Sequence, residues 1–158
     1  MTEFVSHGTS DTIALGQKLG ALLREGDVVV LTGDLGAGKT QLTKGIARGM
    51  GVLDDVTSPT FTIQMVYEGE DLPLYHFDLY RLESADQLDD TGLFDVLGGD
   101  GPCVIEWGER FLDQLGSERL DVCLSRLDEQ ANEGEEPARR VSLEPHGERA
   151  RQIAAALA

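Results

Sequence analysis

The octapeptide GDLGAGKT, from Gly33 to Thr40, has the spacing G-x-x-x-x-G-K-[ST] of a phosphate-binding loop. Glycines let backbone N–H groups converge on phosphate oxygens, and a helix that follows directs its positive end at the same anion. In such a loop we expect Lys39 to reach the β and γ phosphates and the Thr40 hydroxyl to bind Mg²⁺. The alternative is an ordinary glycine-rich turn between a strand and a helix.

Two carboxylates in apolar strands are candidates to complete a magnesium site. Asp78 lies in the alternating run PLYHFDLYRL, residues 73–82, and Glu106 ends the run CVIE. Because Mg²⁺ takes one or two carboxylates besides phosphate oxygens, both acids are predicted to bind the metal of a nucleotide. Asp78 could instead pair with Arg81 or cap a neighbouring backbone N–H, and Glu106 could orient the attacking water.

Hydroxyl, aromatic and basic side chains near these motifs extend the candidate site. The loop TSPTFT, residues 57–62, supplies four hydroxyls. We predict that Thr60 brings one of them to Mg²⁺ or the γ-phosphate, although a plain Ser/Thr turn would have the same composition. Trp107 follows the second acid and could pack in the core or contact the nucleotide. Arg81 and Arg110 are the nearby cations that could neutralise charge on the γ-phosphate.

The elements that would position these residues alternate between helices and strands. Predicted helices cover residues 10–26, 39–51, 84–97, 110–116 and 147–158, and predicted strands cover 27–33, 61–69, 72–82, 103–107, 119–127 and 139–144. Ser10 or Asp11 is the expected N-cap of the first helix, and Ser84 with Gln87 forms a capping-box pattern. The second and third strands should form a hairpin, and the last two should pair antiparallel. This mixture predicts a P-loop NTPase-like α/β fold, a three-layer sandwich on a mixed central sheet.

Length and composition favour one domain without a membrane span. The 158 residues suit a single P-loop domain, 1–158, in which the acidic stretch 128–138 is expected to be a mobile loop. No segment resembles a signal peptide or a membrane span. The net charge of -16 disfavours unaided binding to nucleic acid. Cys103 and Cys123 lie in apolar runs and are expected to be reduced core thiols, and the scattered histidines make a zinc site improbable.

Four segments, GDLGAGKT, TSPTFT, YHFDLYRL and VIEWGER, in this order closely resemble the TsaE (YjeE) family. Members are small bacterial P-loop ATPases required for making threonylcarbamoyladenosine in tRNA. The resemblance implies a cytoplasmic protein that binds ATP and Mg²⁺ and works with a TsaD-like transferase and a TsaB-like companion. It also implies that hydrolysis resets this complex between turnovers, and that tRNA is met only through the partners.

The motifs and the resemblance together predict which residues form the site. By similarity, Thr9 lies near the nucleotide base, and Arg139 or Arg140 could contact that base. Predicted nucleotide-binding residues are Thr9, Gly36, Ala37, Gly38, Lys39, Thr40, Gln41, Thr60 and Trp107; predicted metal ligands are Thr40, Asp78 and Glu106; predicted catalytic residues are Lys39, Asp78 and Glu106.

Two other functions are compatible with a phosphate-binding loop. A small-molecule kinase would need an acceptor pocket and usually an arginine-bearing lid, but the longest loop of this chain is acidic. A nucleotide-sensing switch would bind without hydrolysis, and the base-reading Asn-Lys-x-Asp sequence of GTPases does not occur in the chain. Because no motif positions an arginine for the γ-phosphate, we expect the isolated chain to hydrolyse ATP very slowly and partners to accelerate it.

Overall fold

The computed structural model describes residues 2–33, 37–56, 64–127 and 138–158. Within these ranges the strands are β1 (Thr2–Ser6), β2 (Val28–Thr32), β3 (Gln64–Glu68), β4 (Pro73–Asp78), β5 (Cys103–Glu106), β6 (Arg119–Leu127) and β7 (Ala138–His146). They form one sheet in the order β1-β7-β6-β2-β5-β4-β3. The four central strands, β6, β2, β5 and β4, are parallel, whereas the outer pairs β1–β7, β7–β6 and β4–β3 are antiparallel. The predicted mixed sheet and both predicted antiparallel pairs are confirmed.

Helices cover both faces of the sheet. The described helices are α1 (Thr9–Leu22), α2 (Lys39–Gly49), α3 (Leu93–Val96), α4 (Leu112–Leu115) and α5 (Glu148–Leu157), with 3₁₀ helices at Ala85–Thr91 and Glu109–Phe111. Among them, none combines the length and the apolar character that crossing a bilayer requires. The helices α1, α2 and α5 pack on one face, and the shorter helical segments pack on the other. The predicted three-layer sandwich is confirmed.

The strand β2 shows why the centre of the sheet has an apolar sequence. Val29 and Leu31 belong to the core beneath α1, α2 and α5, whereas Val28 and Val30 belong to the core on the opposite face. All four side chains are buried. A parallel strand covered on both faces needs apolar residues at every position, so the run VVVL encodes a central strand.

A stripe of glycines lets α1 and α2 approach closely. The spacing is four residues in both helices, at Gly16 and Gly20 in α1 and at Gly45 and Gly49 in α2. A Cβ atom added to Gly20 would lie 2.1 Å from the carbonyl oxygen of Ile46, a separation that no side chain could occupy. The two helices therefore touch backbone to backbone, which holds α2 close against α1.

The strand β1 is the element that the sequence did not predict. Residues 2–6 are few and combine apolar and polar side chains, so they do not form an obvious pattern. In the structure they pair antiparallel with β7 from Thr2–Leu143 to Ser6–Arg139. Residues 2–6 therefore form a strand because β7 offers backbone hydrogen bonds to them, and not because of their own composition.

Some predicted boundaries shift in the structure. The helix α1 begins at Thr9 with Gly8 as its N-cap, so the prediction of Ser10 or Asp11 as the cap is wrong. The Asp11 carboxylate instead accepts the backbone N–H of His7 at 2.9 Å. The capping box of Ser84 with Gln87 is confirmed. The helical region that it begins is interrupted at Gly92, whose φ is +80°.

The acidic stretch of the sequence lies almost wholly outside the described residues. The described chain stops at Leu127, where β6 ends, and resumes at Ala138, the first residue of β7. Ala138, which was expected to lie in a loop, is therefore a strand residue that pairs with Leu127. The prediction of a mobile loop stays a prediction for residues 128–137.

The two cysteines have different environments, and one of them contradicts the prediction from sequence. Cys103 is buried in β5, as expected, and the structure leaves both thiols free. Cys123 is exposed on β6, so the prediction of a second core thiol is wrong. Its strand alternates between Val122 and Leu124, which face the core, and Cys123, which points away from it.

We expect one thiol per chain to react with a disulfide reagent under native conditions. Burial raises the pKa of the Cys103 thiol to about 12, with a smaller contribution from the Asp100 charge, so it carries almost no reactive thiolate. Cys123 should react rapidly at mildly alkaline pH, and Cys103 only after unfolding. A colorimetric thiol assay measures both, and Cys123→Ser should remove the rapid phase. Two rapid thiols in the native protein would contradict this assignment.

Candidate nucleotide-binding site

Three parallel strands end side by side next to the phosphate-binding loop. In the register of the sheet, Leu31 of β2 pairs with Glu106 of β5, which in turn pairs with Asp78 of β4. The two predicted acids are therefore neighbours at the carboxyl edge of the parallel strands. Ligands of open α/β sheets bind at this edge, so the arrangement is that of a binding site.

The phosphate-binding loop lies between a buried strand and a helix, as the sequence predicted. Gly33 follows β2 directly, and a Cβ atom at this position would lie 2.6 Å from the carbonyl oxygen of Leu124. Gly38 is the N-cap of α2 and has a left-handed φ of +107°. Glycine is required at both positions, because one lacks space and the other has a conformation that side chains disfavour.

Lys39, at the start of α2, points its ammonium group into this loop. The side chain is only 5 % exposed, and Nζ donates to the carbonyl oxygen of Gly33 at 2.7 Å. Nζ also lies 3.5 Å from the centroid of the Trp107 ring, which is a cation–π contact. The lysine is thus held at the phosphate-binding loop by a carbonyl oxygen and an aromatic face.

Trp107 contacts Lys39 and also packs against the core on the face of the sheet opposite α1, α2 and α5, so its contact with the nucleotide stays a prediction. It is the one non-glycine residue among those described with a positive φ, +60°. Such a conformation costs free energy, and in proteins it is concentrated at functional sites. The turn brings the indole over Lys39, and the centroid of the Tyr80 ring lies 4.9 Å from that of the Trp107 ring.

Asp78 lies at the end of β4 in a partly buried position. Its Oδ1 accepts the backbone N–H of Tyr80 at 2.9 Å, so the backbone cap considered from sequence does occur. This bond uses one of two oxygens and leaves a metal role possible. Burial raises the pKa of Asp78, and the nearby Glu106 charge raises it further, whereas the Tyr80 N–H and the Lys39 charge lower it.

Glu106 has a buried partner that the sequence did not predict. Its side chain is almost fully buried, and Oε2 lies 2.5 Å from Nε2 of His76, which is itself fully buried. The available signal was the alternation of β4, which puts His76 on the same side of the strand as Asp78. The sequence showed the shared side but not the partner, because that depends on the pairing of β4 with β5.

The arginines near the site have separate positions. Arg110 donates to the carbonyl oxygens of Leu79, Tyr80 and Leu82, so it braces the turn that follows Asp78 and is not directed at a phosphate. Arg81 is exposed in the same turn.

Of the two arginines predicted as alternatives for base contact, one lies beside the phosphate-binding loop. Arg139 Nε lies 3.9 Å from where a Cβ of Gly38 would be. Arg140 is exposed on the opposite face of β7. A base contact by either arginine stays a prediction.

The structure describes some of the other predicted nucleotide-binding residues and not others. Thr9 is the first residue of α1, and Thr12, one turn later, has its methyl group 3.9 Å from where a Cβ of Gly38 would be. The start of α1 is thus adjacent to the loop. The structure describes Thr9, Ala37, Thr40 and Gln41, with the last two in the first turn of α2, whereas Gly36 and Thr60 lie outside the described residues.

The side chains gathered here suit a nucleotide with magnesium. Mg²⁺ prefers oxygen ligands, and the predicted ligands are two carboxylates and the hydroxyl of Thr40. The loop has one glycine, Gly33, where a Cβ atom would collide with backbone, and another, Gly38, in a left-handed conformation, as a phosphate cradle requires. The donor set and the cradle thus fit the predicted group, and the individual roles of these residues stay predictions.

A protein-family model described as "Threonylcarbamoyl adenosine biosynthesis protein TsaE" matches residues 6–136. This chain belongs to the TsaE family. The match includes the phosphate-binding loop, both acids and Trp107. It confirms the family, and with it the role in threonylcarbamoyladenosine biosynthesis that the four motifs indicated.

Individual TsaE proteins and a crystal structure agree with this result. A protein from Treponema pallidum is 47% identical over 123 residues, covering 78% of this chain and 90% of its own. One from Streptomyces coelicolor is 44% identical over 138 residues, covering 85% and 90%. Both are named tRNA threonylcarbamoyladenosine biosynthesis protein TsaE. The crystal structure of YdiB from Bacillus subtilis superposes with a TM-score of 0.76 at 33% identity, covering 99% of this chain and 93% of YdiB.

Proposed function

We propose that this TsaE-family chain binds ATP with Mg²⁺ at the candidate site and hydrolyses it slowly, in support of tRNA threonylcarbamoyladenosine synthesis in the cytoplasm. The observation that carries the proposal is the alignment of Asp78 and Glu106 at the carboxyl edge of the sheet, next to Lys39. A P-loop lysine with acids on the neighbouring strands is the arrangement that P-loop NTPases use for a magnesium-bound triphosphate.

Each side chain has a distinct part in this proposal. Lys39 binds the β and γ phosphates after leaving its contact with the Gly33 carbonyl, and the backbone of the loop donates to the remaining oxygens. Thr40, Asp78 and Glu106 would hold Mg²⁺, which supplies charge neutralisation when it is bound. Glu106 would either ligate the metal through water or orient the attacking water molecule. Trp107 covers the lysine and limits access of solvent.

The proposed slow hydrolysis follows from the positions of the positively charged side chains near the site. Arg110 is occupied by three backbone carbonyls in the turn after Asp78. With Arg110 held there, this proposal assigns stabilisation of the transition state to Lys39 and the metal. In this fold class an additional arginine, often supplied by another protein, can raise the rate by about 10³-fold or more. We propose that TsaD-like and TsaB-like partner proteins complete the site.

The surface charge supports an indirect relation to tRNA. The chain carries 29 acidic and 13 basic residues, for a net charge of -16. Such a surface repels a phosphate backbone, so tRNA would be bound by the partner proteins. The same charge can guide docking on a basic protein surface.

We expect the fluorescence of Trp107 to change when Mg-ATP binds. This residue is the single tryptophan of the chain, so the emission reports on one ring. The Lys39 ammonium now lies 3.5 Å from the ring centroid and must turn toward the phosphates in the complex. A titration with Mg-ATP should give a saturable change, and ATP without divalent metal a weaker one. An emission spectrum that is indifferent to Mg-ATP, together with no heat of binding, would contradict the proposal.

Hydrolysis is tested by phosphate release from the isolated chain and from the chain with purified TsaD-like and TsaB-like proteins of the same organism. Slow release that rises severalfold with the partners supports the proposal. Fast release by the isolated chain that partners do not alter would refute partner stimulation. Transfer of phosphate to a metabolite would instead favour a kinase.

A further inference from the structure

A fully buried histidine contacts the acid at the end of β5. His76 has a relative exposure of 0%, and its Nε2 lies 2.5 Å from Oε2 of Glu106. The other ring nitrogen, Nδ1, is also buried and has no hydrogen-bond partner among the residues that the structure describes. A carboxylate only accepts hydrogen bonds, so in the tautomer that suits this contact Nε2 carries the hydrogen and donates to Glu106.

His76 occupies a position in an otherwise apolar part of the core. The neighbours of His76 in the core are apolar, including Leu74 on the same strand and Val104, its partner across the sheet. Burying an imidazole that has one unsatisfied nitrogen is unfavourable. The contact with Glu106 is the polar interaction that the structure describes for this histidine, and an apolar side chain in its place would leave the buried carboxylate without that donor.

The contact between His76 and Glu106 crosses diagonally from β4 to β5, in the direction of the candidate site. His76 pairs with Val104, and Glu106 lies two residues further along β5 on the same face. The bond uses Oε2 of Glu106, so it restrains the rotation of the carboxylate and leaves Oε1 outside this contact. Partners of this kind orient the groups that act on the substrate, although they do not touch it.

We propose that His76 is a positioning residue, which holds the Glu106 carboxylate in the orientation that ATP hydrolysis requires. This role rests on the proposed function. It predicts that removing the donor of His76 lowers the rate of hydrolysis and leaves nucleotide affinity nearly unchanged. A purely structural histidine would instead affect stability, and any loss of rate would follow from unfolding.

The test compares two variants that differ in the donor. His76→Leu fills the core without a hydrogen-bond donor, and His76→Gln restores a donor near the position of Nε2. With the partner proteins present, we expect His76→Leu to lower kcat by about 10- to 100-fold. KM and the calorimetric affinity for Mg-ATP should change little, and His76→Gln should recover most of the lost rate. Unchanged kcat in a folded His76→Leu, or a His76→Gln no more active than it, would overturn the proposal.

Nuclear magnetic resonance tests the contact without hydrolysis and without a core substitution at His76. In the unsubstituted chain, we expect a slowly exchanging Nε2–H signal of His76 that shifts strongly in Glu106→Gln. A ring that carries its hydrogen on Nδ1 would overturn the proposal even if the leucine variant fails to fold. Absence of hydrolysis by the unsubstituted chain with its partners would overturn the proposed function and this role together. Hydrolysis that survives His76→Leu would overturn this role alone.

Discussion

Replacing Lys39 with methionine should nearly abolish binding of Mg-ATP. Methionine keeps the apolar stem of this buried side chain but removes the ammonium group that is directed into the phosphate-binding loop. Two hydrogen bonds to charged phosphate oxygens are worth about 3–6 kcal/mol together, so the dissociation constant should rise by about 100-fold or more. Calorimetry is the appropriate measurement, since the substitution also removes the cation from the Trp107 ring.

The matched control for this variant is Lys44→Met in the same helix. Lys44 lies five residues further along α2, outside the phosphate-binding motif. Lys44→Met removes the same charge from the chain as Lys39→Met does, so a general electrostatic effect of losing one positive charge would appear in both variants. We expect Lys44→Met to bind Mg-ATP as the unsubstituted chain does. Equal binding by Lys39→Met and Lys44→Met, in proteins of unchanged melting temperature, would remove the phosphate site from this loop.

Glu106→Gln should separate hydrolysis from binding. Glutamine keeps the shape of this buried side chain and retains an oxygen that can accept from His76, but it lacks the charge that activates water or ligates magnesium. Loss of a positioned acid–base group typically lowers a rate by about 10²- to 10⁴-fold, and we expect partner-stimulated kcat to fall within this range. ATP affinity should persist, because Lys39 and the loop backbone remain.

Two further variants show whether this effect is specific. Glu68→Gln removes an exposed acid from the end of β3, where Glu68 pairs with Pro73 at the opposite end of β4 from Asp78. It should hydrolyse ATP normally. Asp78→Asn keeps an acceptor for the Tyr80 N–H and removes the second candidate ligand. If Glu106→Gln retained full partner-stimulated hydrolysis, the chain would act as a nucleotide sensor in which this acid has no chemical role.

Much of the fold could be predicted because its signals are local. The run VVVL between a helix and a glycine-rich loop indicates a central parallel strand, since only a strand buried on both faces needs four successive apolar residues. The capping box at Ser84 and Gln87 is likewise complete within four residues. The strand β1 could not be predicted in this way, because its hydrogen-bond partners lie about 140 residues away in β7.

The candidate site likewise has features that the sequence predicts and features that it does not. The types and spacing of Lys39, Thr40, Asp78 and Glu106 are enough to indicate phosphate and magnesium chemistry. Their neighbours could not be predicted from type and spacing. From sequence, Arg110 was a candidate to neutralise charge on the γ-phosphate. In the structure its guanidinium group instead donates to backbone carbonyls in the turn after β4.

Short stretches of the chain are enough to predict the chemistry of this protein. They contain a glycine-rich loop that can bind an anion, a lysine directed into that loop, and acids at the ends of two apolar strands. Folding alone establishes which groups surround them, namely the His76 bond to Glu106, the Trp107 ring over Lys39 and the position of Arg139 beside Gly38. Backbone patterns follow from neighbouring residues, whereas these contacts depend on the pairing and close packing of segments that are distant in the chain.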